Sequence, residues 1–228
     1  MQPVHAVETT VFLPSSWSKL EGDLHLPEGA QGLVIFAHGS GSSRKSPRNR
    51  FVADALHARG LGTLLFDLLT VAEERQDARD GHLRFDIPFL ARRLIDATDE
   101  VREHSEVMNL PIGYFGASTG AAAALMAAAQ RPHVIGAVVS RGGRPDLAGP
   151  ALENVHAPTL LVVGGEDLAV LDLNEDAMRH LNCERRLSIV RGATHLFEEP
   201  GALEEVAQLA GAWFLEHLGV EDELWAPS

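Results

Sequence analysis

Cysteine is nearly absent from this chain: Cys183 is the one thiol in 228 residues. No intrachain disulfide can form, and a thiolate-ligated zinc or iron–sulfur site lacks its ligands. Basic residues are also scarce. Nineteen Lys and Arg stand against 32 Asp and Glu, for a formal net charge of -13. Such a chain offers no broad basic face to nucleic acid and no attraction to anionic lipid. Long apolar runs are missing as well. The longest is the alanine-rich stretch 121–129, too short to cross a bilayer, and Met1-Gln2-Pro3-Val4-His5 has neither a basic nor an apolar leader region. These absences favour a reduced cytoplasmic compartment, with neither nucleic acid nor membrane as partner.

Repeats, low-complexity tracts and Ser/Gly/Pro-rich linkers are missing too, so residues 1–228 are expected to form one domain. A chain of this size buries roughly 70–75% of its unfolded surface. Charged residues make up 22% and hydrophobic ones 45%, ordinary for a globular protein. Val7, Thr9, Val11 and Leu13 alternate with other residues, Pro14-Ser15-Ser16 turns the chain, and Leu20, Leu24 and Leu26 alternate again. That pattern predicts an antiparallel hairpin. The continuous apolar run 33–37 then predicts a strand covered on both faces.

From there strands and helices alternate. Strands are expected at 63–66, 112–115, 134–139, 159–163 and 187–190. Helices are expected near 48–59, through Ile87, Leu90, Leu94 and Val101, at 121–129, near 173–181, and through Leu203, Val206, Ala210 and Phe214. Repeated βα units imply a mostly parallel sheet of seven or eight strands with helices on both faces. In such sheets chemistry sits at the carboxyl ends of the strands. The segment between the strands at 134–139 and 159–163 is short, which leaves no room for a substantial lid.

The most informative stretch is Gly116-Ala117-Ser118-Thr119-Gly120, set between an apolar strand and an alanine-rich helix. A G-x-S-x-G in that context is a nucleophile elbow: the serine is held on a strained turn with its hydroxyl exposed above the sheet. The bland alternative is a serine capping the helix. A serine hydroxyl is a poor nucleophile and needs a base within hydrogen-bond reach. Histidine suits the task, since its ordinary pKa of ~6.5 lets it take and return a proton near neutrality. Of eleven histidines, His195 lies directly after the last strand. His5 and His25 belong to the hairpin, and His57, His104, His180 and His217 are expected as solvated groups on helices.

A carboxylate must then hold the imidazole's tautomer. Asp167 follows the apolar run 160–163. Glu166 and Asp172 are its rivals, and Asp172 is expected to begin a helix. For the oxyanion, one donor is the Thr119 N–H and the other is assigned to Ser40, with Gly41 as alternative, in His38-Gly39-Ser40-Gly41. His38 is expected to pack beneath this loop and bond backbone. Asp67 also follows directly on a strand, that at 63–66, and reads as a residue tying loops together. Asp77, Asp80 and His82 read as a solvated loop, and Cys183 as an inert thiol. Trp213 and Phe214 suit either a core or a dimer face. The oligomeric state is not legible.

The motifs HGSGSSR (38–44), FDLLT (66–70), GASTG (116–120), GGEDLAV (164–170) and GATHLFEEP (192–200) stand in one order along most of the chain. In this the chain resembles the α/β-hydrolases, and more narrowly the small, lidless, dienelactone hydrolase-like group. The resemblance implies an α/β-hydrolase fold and a serine-type hydrolase with triad Ser118, Asp167 and His195. Dienelactone hydrolases proper carry a cysteine where this chain has Ser118, which favours an ordinary small or medium carboxylic ester as substrate. No metal or organic cofactor is called for. Thioesterase, amidase, peptidase or perhydrolase chemistry would use the same residues, and a small-molecule receptor could retain them without turnover. Finally, Arg44, Lys45, Arg48 and Arg50 crowd the segment after the oxyanion loop, and Arg141 and Arg144 follow the strand at 134–139. Cations at a helix N-terminus oppose its dipole. Arg44, Arg48 and Arg141 are therefore candidate contacts for a substrate anion, against the alternative of salt bridges to acids such as Glu73 and Glu74.

Overall fold

Eight strands form one sheet in the order β1-β2-β4-β3-β5-β6-β7-β8. The computed structural model describes residues 6–12 and 19–219. The strands are β1 (Ala6–Phe12), β2 (Lys19–His25), β3 (Leu33–Ala37), β4 (Gly62–Phe66), β5 (Ile112–Ala117), β6 (Ile135–Arg141), β7 (Thr159–Gly164) and β8 (Arg185–Val190). The hairpin β1–β2 is antiparallel and joins β4 antiparallel, while every pair from β4 to β8 is parallel. Leu13, the Pro14-Ser15-Ser16 turn and His5 lie outside the described residues.

The central strands are buried along nearly their whole length and largely apolar because both faces are covered. In β3, Leu33, Ile35 and Ala37 face one layer with α3 (Ile87–Val101), α4 (Thr119–Gln130) and α5 (Leu168–His180). Val34 and Phe36 face the other layer, with α1 (Pro47–His57) and α6 (Ala202–Leu218). Trp213 and Phe214 belong to that second core; packing accounts for them, and they form no free face.

Strand β3 has β4 on one side and β5 on the other, so the chain reverses its direction of travel across the sheet there. Such a switch point opens a crevice at the carboxyl ends of the strands. The loop after β3 and the elbow after β5 both border it.

Three expectations need correction. Helix α5 begins at Leu168, with Asp167 at its N-cap position, so Asp172 lies inside the helix. Strand β6 continues to Arg141, making that residue the end of a strand. Residues 71–80 form a helix, α2 (Val71–Asp80), closed at its start by a Thr70–Glu73 capping box. Its polar sequence shows too little apolar periodicity to announce it. Asp77 on this helix is buried and accepts from Leu83 N–H (2.7 Å), Arg84 N–H (3.1 Å) and Arg84 Nε (2.5 Å). It is a structural tie, and the expected solvated loop is absent there.

Candidate active site

Ser118 occupies the junction of β5 and α4 with φ 51° and ψ -121°, outside the regions that L-residues ordinarily adopt. Small neighbours make this turn possible. A Cβ on Gly116 would lie 2.4 Å from Ala121 Cα, and one on Gly120 would lie 2.2 Å from the Ala37 carbonyl oxygen. Three hydrogen bonds hold the strained residue: its N–H donates to Arg141 O (3.2 Å), and its carbonyl accepts from Ala121 N–H and Arg144 N–H (3.1 Å each). The side chain makes no cap bond to α4, which removes the helix-cap reading of the serine.

Asp167 and His195 are joined by two interlocked loops. Gly165 N–H donates to Val190 O (2.8 Å) and Glu166 N–H to Ala193 O (3.0 Å). A Cβ on Gly164 would meet Ala193 O at 2.4 Å, so only glycine permits this approach. The result is a 2.6 Å bond between His195 Nδ1 and Asp167 Oδ2. That bond leaves Nε2 of the ring as the nitrogen able to accept a proton. The rival Glu166 is exposed. A Cβ on Gly142, the residue after Arg141, would lie 3.2 Å from His195 O and 3.6 Å from its Nδ1. The imidazole loop therefore packs on the residue adjoining the carbonyl that holds Ser118. Among the described residues Ser118 Oγ makes no hydrogen bond to His195. Such bonds are commonly long before substrate arrives.

The loop after β3 lies against the elbow. Ser40 N–H donates to Thr119 Oγ1 (3.0 Å), so this amide already has an acceptor. Thr119 N–H, at the first position of α4, has none within its helix, and Gly41 follows with φ 69°. His38 sits beneath, with Nδ1 on Gly39 O (2.9 Å) and Nε2 accepting from Leu68 N–H (3.0 Å). Burial, partly offset by the Gly39 carbonyl, pushes its pKa down, and it serves as a neutral brace. A cleft of about 580 Å³ runs alongside, lined by this loop together with Arg48, Leu68, Leu69, Asp77, Arg84 and Thr119.

The arginines divide sharply. Arg44 is committed to Glu21, Asp23 and Asp67, which takes it out of the candidate substrate contacts. Its partners are those acids, while Glu73 pairs with Arg93. Asp67 ties the loops as expected, also accepting Arg44 N–H at 2.8 Å. Arg48 reaches Glu198 at 3.0 Å and Arg144 reaches Asp146 at 2.8 Å. Arg141 is buried with no carboxylate partner among the described residues. Sequence reasoning missed Asn174, which is fully buried and donates to Gly143 O at 3.0 Å, bracing the loop after β6. Its signal was the spacing of Val170, Asn174 and Ala177 on the inner face of α5. Among the described residues one group could gather a cation, Glu184, Glu216 and His217. It lies at the start of β8 and the end of α6, by the amino ends of the parallel strands, whereas Ser118 follows the carboxyl end of β5.

A family model described as an alpha/beta hydrolase domain matches residues 30–208. A crystal structure of dienelactone hydrolase from Anabaena variabilis is similar at 57% identity, covering 94% of this chain and 98% of that one, with a TM-score of 0.91. The esterase Est1E from Butyrivibrio proteoclasticus shares the fold at 17% identity over 93% of this chain and 98% of that one, TM-score 0.75. A Mycobacterium tuberculosis protein, Rv0571c, provisionally named a phosphoribosyl transferase, is 57% identical over 197 residues, 86% of this chain and 44% of that protein. The chain thus spans less than half the length of that curated relative.

Proposed function

Because the chain belongs to the alpha/beta-hydrolase domain family, in its dienelactone hydrolase-like group, we propose that it cleaves small or medium carboxylic esters through an acyl-enzyme on Ser118. One observation carries the reading: a serine held at φ 51° above a strand end, beside strand ends that carry a His195–Asp167 pair bonded at 2.6 Å. His195 takes the hydroxyl proton as Ser118 attacks the ester carbonyl. Thr119 and Ser40 N–H groups receive the oxyanion, with Ser40 exchanging Thr119 Oγ1 for the substrate oxygen and Gly41 as its alternative. His195 then protonates the leaving alcohol, and water deacylates the enzyme by the same route with roles reversed. Asp167 keeps the imidazole oriented and stabilises its charged form. The open cleft suits substrates of modest size.

The test combines a fluorophosphonate probe with p-nitrophenyl ester turnover. Wild type is expected to label at Ser118 and turn over. Ser118→Ala should lose labelling and lower kcat by roughly 10^4- to 10^6-fold, with its melting temperature held. Full activity in that variant would overturn the proposal. Labelling without turnover of esters, thioesters or amides would favour a receptor. The Rv0571c name leads to no second reading, because more than half of that protein has no counterpart in this chain.

A further inference from the structure

Arg141 is 8% exposed, and its Nε and Nη1 are buried without any hydrogen-bond acceptor among the described residues. The other well-buried arginines have carboxylates: Arg93 has Glu73 at 2.6 Å, and Arg44 has three acids. A buried cation without a counter-charge is unfavourable, and the fold has made the position worse. Arg48, in the first turn of α1, adds a like charge close by, and its own Nε is also buried and unpartnered. Burial first, then this neighbour, pulls the Arg141 pKa down to about 10. Among the described residues the compensating contact is the Phe197 ring, 5.9 Å from the guanidinium, and a cation–π contact is weak beside the cost of burying a charge.

The location is the second half of the argument. Arg141 ends β6, and its carbonyl accepts the Ser118 N–H. Phe197 stands two residues after His195, at φ 55°. Arg48 reaches from this cluster to the wall of the cleft that also contains Ser40 and Thr119. Two cations with unused donors therefore adjoin the residues that would bind and cleave an ester. Arginine forks match planar or tetrahedral oxyanions.

We propose that Arg141, helped by Arg48, forms an anion subsite beside Ser118, so that the preferred esters carry a second, negatively charged oxyanion group. The inference rests on the hydrolase reading and narrows its substrate class. A carboxylate and a phosphate monoester share the needed chemistry.

The test compares kcat/KM for p-nitrophenyl butyrate, the p-nitrophenyl monoester of succinate, and a phosphorylated p-nitrophenyl ester of similar length. Wild type is expected to prefer at least one anionic ester, and Arg141→Met should cut the anionic-to-neutral ratio by about 10- to 100-fold. Arg48→Gln should cut it by less, because Glu198 already shares that guanidinium. A drop with the succinate ester assigns carboxylate, and one with the phosphorylated ester assigns phosphate. A ratio unchanged within about twofold overturns the subsite. Should Arg141→Met fail to fold, succinate and inorganic phosphate are titrated against wild type at constant ionic strength. A saturable rise in melting temperature, absent with chloride, supports the subsite, and no rise overturns it. Failure of wild type to cleave any ester overturns the hydrolase reading alone, since the melting shift still judges the anion site.

Discussion

His57 shows how one residue's surroundings set its behaviour. Its ring stacks on His25 with centroids 3.8 Å apart, and its Nε2 contacts Thr63 Oγ1 at 2.7 Å. This is a packed pair, where sequence alone suggested a solvated helix histidine. Desolvation, then the neighbouring His25, pushes its pKa down to about 4, against a smaller upward pull from Asp54. An unfolded chain accepts that proton near ~6.5. Between the two values the unfolded state binds more protons, so stability is full above ~6.5 and declines as pH falls towards about 4. His57→Gln should weaken the fold at pH 7, through lost stacking, yet flatten the decline. Urea midpoints at pH 7 and pH 5 in wild type and variant check this, and parallel declines would refute it. Ser118 carries backbone strain. Its φ of 51° costs on the order of 1–3 kcal/mol, which the packing of its flanking elements sustains.

At the scale of elements, the elbow depends on how closely α4 approaches β3 and β5. Ala121, Ala122, Ala123 and Ala124 are all fully buried, and only small side chains allow the helix start to sit against the strand ends. Gly120→Ala would drive a methyl into the Ala37 and His38 carbonyls. It should destabilise by about 3 kcal/mol and lower kcat together with stability, measured by urea unfolding and ester turnover. A smaller cost, under about 1 kcal/mol, would mean the contact relaxes freely. Helix α2 illustrates the opposite design, a polar element fastened by one buried acid. Asp77→Ala leaves Arg84 without its partner and should cost about 2 kcal/mol, less than for a fully buried pair because the Arg84 side chain is 31% exposed. Both residues line the cleft, so KM should rise more than kcat falls. Steady-state kinetics on one ester reads this, and an unchanged KM would contradict it.

Over the whole molecule, a continuous eight-stranded sheet carries an apolar core on each face. The two cores share strands, so neither can melt without exposing the other. We therefore expect one cooperative urea transition, with far-UV circular dichroism and tryptophan fluorescence coinciding. Two separated transitions would divide the chain into independent units. The same continuity explains why most elements were legible from sequence. Strands covered on both faces read as unbroken apolar runs, as in Leu33–Ala37, and their helices as periodic ones. The starts of α5 and α2 were not legible. Asp167 occupies an N-cap position yet gives its carboxylate to His195, and the α2 sequence is mostly polar, without an apolar stripe.

Sequence alone determined the strand–turn–helix around Ser118 and the order of βα units, because glycine, alanine and apolar spacing act on residues that are already neighbours in the chain. Only the tertiary structure decided which arginines keep a free fork. Arg44, Arg48 and Arg141 look alike in one dimension. The first is neutralised by Glu21, Asp23 and Asp67, drawn from two other segments, while the last is enclosed by β6, Phe197 and another cation. Charge pairing depends on distance through space, and that distance exists only once the sheet has formed.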